Sequence, residues 1–221
     1  MSLTFAFDIY GTLIDTTDVS KQLQSYIGDL ASDFSNQWRE KQLEYSFRKG
    51  LMQRYQDFSV CTKEALDYTD AFFSCSLSTV QKQSLLERYK VLPAFDDVKD
   101  SLEALQKEQV QIYAFSNGTA SAVHDLLSHA EISSFFIDVI STDEVHSFKP
   151  SPAVYHHFLK RSQSLAKNTW LISSNSFDVL GAKSAGLNSA WIQRHSNSLI
   201  DPWEIGPDAT FTNLRQLSNL L

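Results

Sequence analysis

The sequence predicts an α/β protein, a doubly wound parallel sheet with a helical cap inserted after its first strand. Three observations carry this reading. The apolar run Leu3 to Phe7 ends on Asp8 and is followed by Gly11 and Thr12, as in a short strand buried on both faces and closed by a turn. From Asp15 to about Pro93 the apolar spacing is helical, with no credible strand. After Pro93 strands and helices alternate, the order of a parallel sheet joined by right-handed crossovers.

Within the helical stretch, Leu23, Tyr26, Ile27, Leu30 and Phe34 fall on one face of an amphipathic helix. A second helix is expected from Asn36 to Lys49, stopping at Gly50. Thr62 to about Phe73 forms a third, and Ser78 to Lys90 a fourth, opened by the capping box Ser78-Thr79-Val80-Gln81. The core then reads as helix 96–108, strand 110–115, helix 119–129 and strand 136–140. Helix 151–165, strand 169–172, helix 177–185 and strand 189–192 follow, with Thr210 to Thr212 as an edge strand before a closing helix. The expected division is a core of residues 1–14 and 94–221 and a cap of residues 15–93.

Composition narrows the function. A chain of 221 residues with 43% hydrophobic and 20% charged residues is an ordinary globular one, long enough for a core and a smaller insertion. Its net charge of -7 argues against a nucleic-acid binder, which usually carries a basic patch. No apolar run approaches the roughly 18 residues of a membrane span, and Met1-Ser2-Leu3-Thr4 lacks the basic and apolar regions of a leader; a cytoplasmic setting without membrane partners is expected. Cys61 and Cys75 form no C-x-x-C pair, and no helical histidine pair suggests zinc. Of the histidines, His146, in the loop before Lys149, is the one to check for contact with a site.

The polar residues fall at one kind of position. Asp8 ends the first strand, Ser116-Asn117-Gly118 the second and Ser173-Ser174-Asn175 a later one, while Lys149 lies in the loop beyond Ser141. In open parallel sheets those ends converge on one crevice. Asp8 suits three roles: nucleophile, metal ligand, or cap of a turn. Lys149 can hold its carboxylate ionised and Thr12 can donate a hydrogen bond to it, which favours a reacting group.

Phe7-Asp8-Ile9-Tyr10-Gly11-Thr12-Leu13 resembles the first motif of the haloacid dehalogenase superfamily, whose nucleophile is the first Asp. The superfamily's phosphatases place a second Asp, a general acid, where Tyr10 stands; the D-x-Y-G-T form is similar to the L-2-haloacid dehalogenases. Trp38-Arg39-Glu40-Lys41-Gln42-Leu43-Glu44-Tyr45 resembles that subgroup's W-R-x-K-Q-L-E-Y stretch, and Lys149-Pro150 with Tyr155 its third motif. In the fourth motif, Ser173-Ser174-Asn175-Ser176-Phe177-Asp178, Ser174 replaces the first acid of the phosphatases' Mg²⁺-binding pair, removing an anionic oxygen of the kind that ion prefers. Some relatives carry Gln at position 40 and Trp at position 177; Glu40 is expected to face outward.

The resemblance implies a Rossmann-like core under a helical cap and metal-independent, cofactor-free hydrolysis of (S)-2-haloacids to (R)-2-hydroxyacids. Asp8 would displace halide with inversion to give an aspartyl ester, and Arg39 would receive the halide. Asp178, supported by Ser173, Asn175 and Lys149, would activate the water that cleaves the ester. Thr12 supports the nucleophile. Ser116 and the backbone N–H groups of Ile9 and Tyr10 would bind the substrate carboxylate, Asn117 would line the halide pocket, Tyr155 would brace the site, and Leu43, Phe58 and Phe177 would bound the pocket. The partners implied are a small 2-haloalkanoic acid and halide; similar enzymes are commonly dimers, although no stripe here marks a homodimer interface. Two alternatives remain: a phosphatase of the same superfamily, and a non-catalytic small-anion-binding protein.

Overall fold

The computed structural model describes residues 3–221. Its sheet has six parallel strands: β1 (Thr4–Phe7), β2 (Gln111–Ser116), β3 (Val139–Ser141), β4 (Thr169–Ser173), β5 (Asn188–Ile192) and β6 (Ala209–Phe211). Their spatial order is β3-β2-β1-β4-β5-β6. The order reverses at β1, so the carboxyl end of this first strand opens onto the crevice where such sheets bind ligands. Phe7 pairs with Ala114 on one side and Ile172 on the other, which brings Asp8, Ser116 and Ser173 to the same edge.

Side chains alternate across each strand. Phe5 and Phe7 face an apolar layer containing Val98, Leu102, Val123 and Leu126, from α5 (Val98–Lys107) and α6 (Ala120–His129). Ala6 and Phe115 face Val154, Tyr155, Phe158 and Ala182, from α7 (Pro152–Ser162) and α8 (Ser176–Ser184). Burying an aromatic or large aliphatic side chain in such a layer stabilises the fold by about 1.5–3 kcal/mol.

Between β1 and α5 lie α1 (Val19–Ile27), α2 (Ala31–Leu51), α3 (Phe58–Phe73) and α4 (Thr79–Arg88). α2 buries Ala31, Phe34, Trp38, Gln42 and Ser46 along one stripe. Trp38 donates its indole N–H to Thr62 O at 2.9 Å and meets Tyr89 edge-on with ring centroids 4.9 Å apart. Phe34, Trp38 and Leu85 join Phe5 and Phe7 in one continuous apolar cluster.

Several boundaries differ from the sequence reading. The expected helix through Leu23 and Phe34 is broken at Gly28, whose φ of 57° ends α1 and admits a 3₁₀ turn, Gly28–Leu30; Leu30, expected on the apolar face, is 43% exposed. The second helix starts at Ala31 and continues through Gly50 to Leu51, since one interior glycine costs only about 1 kcal/mol. The third starts at Phe58 because Asp57 caps it by accepting from the Ser59 N–H. The strand expected at 136–140 is confined to Val139–Ser141, with a 3₁₀ turn at Ser133–Phe135 before it. The closing helix is 3₁₀, Leu214–Leu220.

Candidate active site

Asp8 continues β1 by one hydrogen bond, its N–H donating to Ile172 O at 3.0 Å, and its side chain is nearly buried. The donors around its two oxygens are unequal. Oδ2 accepts from Thr12 Oγ1 at 2.7 Å, Asn175 Nδ2 at 2.7 Å and Ser173 Oγ at 3.1 Å, whereas Oδ1, among the described residues, accepts only from Lys149 Nζ, at 3.1 Å. Burial alone would push the carboxyl pKa up, but the Lys149 charge and the hydrogen bonds from Thr12, Lys149 and Asn175 outweigh it and hold Asp8 below its ordinary value.

Lys149 is 1% exposed and links two carboxylates. Its Nζ lies 2.7 Å from Asp178 Oδ2, donates to Phe115 O at 2.8 Å and sits 4.2 Å above the Phe115 ring. Burial would lower the ammonium pKa; the charges of Asp178 and Asp8 reverse that and raise it. Asp178 differs from Asp8. Desolvation, opposed by Lys149 and reinforced by the neighbouring Asp8 charge, leaves its carboxyl pushed up to about 6. A buried acid poised there is a serviceable base near neutral pH.

Tyr155 holds the other side of Asp178, donating to Oδ1 at 2.8 Å. This approach needs Gly181, where a Cβ would stand 2.6 Å from Pro150 Cβ and 2.9 Å from Tyr155 Cζ. Burial, with Asp178 beside it, raises the Tyr155 hydroxyl well above its usual value, so it serves as a donor.

The turn after Asp8 is tied down by Ser174. Its N–H donates to Thr12 Oγ1 at 2.9 Å and its hydroxyl to Gly11 O at 2.7 Å. The residue standing where phosphatases have an acid therefore works as a backbone clasp. Asn175 Nδ2 also reaches Tyr10 O at 3.1 Å. Farther out, Arg194 donates to Thr12 O from Nε at 3.1 Å and Nη2 at 2.6 Å, and from Nη1 to both Asp97 oxygens at 2.8 Å.

Of the expected binding residues, Asn117 reaches this centre through Lys149 N, and Tyr10 and Arg39 meet it at Tyr10 O. Ser116 is buried at the end of β2, its Oγ accepting from the Gly118 N–H at 3.0 Å. Asn117 Oδ1 accepts from Lys149 N at 2.9 Å and Thr142 Oγ1 at 3.2 Å, which leaves the amide nitrogen as its open end. The Ile9 side chain is fully buried, so only its backbone can serve a ligand. Tyr10 packs near Phe58 with ring centroids 6.4 Å apart, and burial pushes its hydroxyl up to about 12. Arg39, half-buried on α2, donates to Tyr10 O at 3.4 Å. Leu43 is half-buried one turn farther along α2, and Phe177 meets Phe47 at 5.1 Å. Glu40 is exposed. His146 is also exposed and packs on Tyr55, outside the Asp8 hydrogen-bond network.

Sequence reasoning missed the Ser174 clasp, the Phe115 carbonyl, Gly181 and the Arg194–Asp97 brace. Only the glycine had a local signal, its place one turn beyond Asp178 on the same helix. Among the described residues no group of three or more His, Cys, Asp or Glu side chains could hold a metal ion. The donor set around Asp8, one ammonium and three hydrogen-bond donors, suits an ionised carboxylate that needs no metal to stay charged.

The family model for haloacid dehalogenase-like hydrolases matches residues 5–192. The chain is 34% identical over 215 residues to (S)-2-haloacid dehalogenase 2 of Pseudomonas sp. (strain CBS-3), covering 97% of this chain and 93% of that one. It is 32% identical to the (S)-2-haloacid dehalogenase of Pseudomonas fluorescens, covering 97% and 94%. Among solved structures, L-2-haloacid dehalogenase from Xanthobacter autotrophicus with chloropropionic acid covalently bound superposes with a TM-score of 0.92 at 27% identity, covering 100% of this chain and 98% of that one.

Proposed function

The chain belongs to the haloacid dehalogenase-like hydrolases, and from that premise we propose that it hydrolyses (S)-2-haloacids to (R)-2-hydroxyacids through an ester on Asp8. The observation that carries the proposal is the unequal solvation of the Asp8 carboxylate, with three donors on Oδ2 and one on Oδ1. Oδ1 keeps the more available lone pairs and attacks C2. The carbon–halogen bond breaks as the oxygen–carbon bond forms on the opposite face, and halide leaves toward Arg39. A fixed guanidinium stabilises charge that grows only in the transition state.

Water then adds to Asp8 Cγ. Charge builds on Oδ2, where Thr12, Ser173 and Asn175 form a ready oxyanion site. Asp178 takes one proton from the water and returns it to Oδ1 as the Cγ–Oδ1 bond breaks, so the product leaves with Oδ1 as its hydroxyl oxygen, and the Asp8 carboxyl, now carrying the oxygen from water, loses its proton to solvent. Lys149 screens the two carboxylates from each other throughout. Ser116 and the N–H groups of Ile9 and Tyr10 hold the substrate carboxylate, Asn117 completes the halide pocket, and Leu43, Phe58 and Phe177 bound the substituent on C2. Residues 15–93 act as the cap that delivers Arg39.

Neither step requires a divalent cation. Ser174, bound to Gly11 O, supplies no anionic ligand, and a halide leaves without protonation, so Tyr10 in place of a general acid is no handicap. The homodimer suggested by similar enzymes and the cytoplasmic setting expected from the sequence belong to the same proposal; no helix among the described residues is long and apolar enough to cross a membrane. The test is halide release from racemic 2-chloropropionate with chiral analysis of the remainder. Consumption of the (S) form with (R)-lactate as product is expected. Metal-dependent turnover of phosphate esters with chloropropionate untouched would instead mark a phosphatase.

A further inference from the structure

Two cavities border the turn after Asp8, one at Tyr10 and the other at Gly11, and the charges on their walls differ. The larger, of about 500 Å³, adjoins Tyr10 and Phe58 and carries Asp57 and Glu87 together with Lys63 and Lys90 on its walls, so that its charges balance. The smaller, of about 250 Å³, reaches Arg39 and Asn175 and is walled by Asn36, Arg194, His195 and Ser198, with no aspartate or glutamate among its lining residues. Arg194 is paired with Asp97, and Asp15, whose field also reaches Arg194, accepts from Thr17. Arg39 has no carboxylate partner among the described residues, only the long hydrogen bond to Tyr10 O. The smaller cavity therefore connects solvent to an unpaired guanidinium along neutral polar or cationic walls, inside a chain whose net charge is -7.

An anion moving through an acidic protein is repelled wherever carboxylates line its way, and a cleft lined by one sign of charge concentrates ions of the other. We propose that the smaller cavity is the anion conduit of this enzyme, through which haloalkanoate reaches Asp8 and halide departs from Arg39, and that Ser198 on its wall is a position where charge sets capture. The inference rests on the dehalogenase reading for its anions, but the conduit is a property of the cavity and can be tested without turnover.

The experiment is a charge series at Ser198, whose side chain takes no part in the hydrogen bonds around Asp8. At low ionic strength Ser198→Asp should lower kcat/KM for 2-chloropropionate about two- to threefold, Ser198→Lys should raise it by a similar factor, and Ser198→Asn should leave it unchanged, the size expected for one unit charge acting through water from the cavity wall. The single-turnover rate at saturation should not move, and the differences should vanish near 0.5 M salt, where charges a few ångströms apart are screened. Gln83→Glu, in the larger cavity, should have no such effect. Bromide affinity measured by calorimetry should follow the order Lys, wild type, Asp. If the wild type releases no halide from 2-chloropropionate the dehalogenase reading fails, and the bromide series alone judges the conduit. Asp and Lys variants moving the same way, a salt-insensitive change, or an equal loss in Gln83→Glu would overturn it.

Discussion

Lys149 Nζ stands 2.7 Å from Asp178 Oδ2, and the two groups are among the most completely buried charged side chains in the molecule. An ammonium shared with Asp8 does not neutralise both carboxylates, so burial is left to raise one of them. It is Asp178, pushed up to about 6, while Asp8 stays below its ordinary value. This division favours Asp178 as the base and Asp8 as the nucleophile of the proposed reaction.

The first prediction concerns pH. Asp178 must be ionised to take a proton, so the rate of ester hydrolysis should be flat above its pKa and fall about tenfold per pH unit below about 6. Lys149 is held above its usual value, so no descending limb is expected up to about pH 9. Single-turnover hydrolysis followed from pH 4 to 9, as an approximate range, checks this. Asp178→Asn should remove the limb and let the ester accumulate.

Arg39 is predicted to matter for rate and not for folding. It makes one long hydrogen bond and is half-buried, so Arg39→Ala should shift the thermal midpoint little. Halide release should drop by roughly 10²-fold or more, the loss usual for a lone transition-state donor. Activity near wild type in that variant would remove the guanidinium from the mechanism.

Gly181→Ala tests the seat of Tyr155. The added methyl must displace Tyr155 or Pro150, costing about 1–3 kcal/mol of stability in urea melts. Asp178 would lose the donor on Oδ1, so its pKa should rise and the acid limb should move to higher pH. A variant that loses stability with the limb unmoved would reduce Gly181 to a packing role.

The Arg194–Asp97 pair should carry stability from a distance. Both side chains are less than a tenth exposed, and Asp97 Oδ2 also accepts from Leu214 N at 2.7 Å. Asp97→Ala leaves a largely buried guanidinium without its counter-charge, a loss of roughly 3 kcal/mol or more. Chemical denaturation measures it. Because Arg194 holds Thr12 O, turnover at saturating substrate should fall as well.

Chelation should be without effect. Enzyme dialysed against EDTA is predicted to release halide at the rate of untreated enzyme, since the Asp8 oxygens are occupied by protein donors and Ser174 is bound to Gly11 O. Restoration of lost activity by Mg²⁺ would contradict the proposed steps.

Much of this centre was legible in the sequence because its parts lie at strand ends. Asp8, Ser116 and Ser173 each follow a short apolar run, and parallel pairing brings such ends together. Arg39 was legible only through the stretch around Trp38, as nothing in an amphipathic pattern says which surface arginine faces a sheet. The break at Gly28 escaped because the apolar spacing runs across it, and only the positive φ shows that the chain turns. The Arg194–Asp97 brace joins residues far apart in sequence, without local periodicity to announce it. The asymmetry of the Asp8 donors depends on which oxygen each hydroxyl meets, and that is written in packing alone.

The most direct test of the central claim is a single turnover in oxygen-18 water, with enzyme in excess over (S)-2-chloropropionate and mass analysis of both lactate and the peptide carrying Asp8. The ester route predicts label in the Asp8 carboxylate and unlabelled lactate, because the product hydroxyl comes from Oδ1. Label appearing directly in that first lactate, with Asp8 unlabelled, would mean that water attacks C2 itself and that Asp8 is no nucleophile.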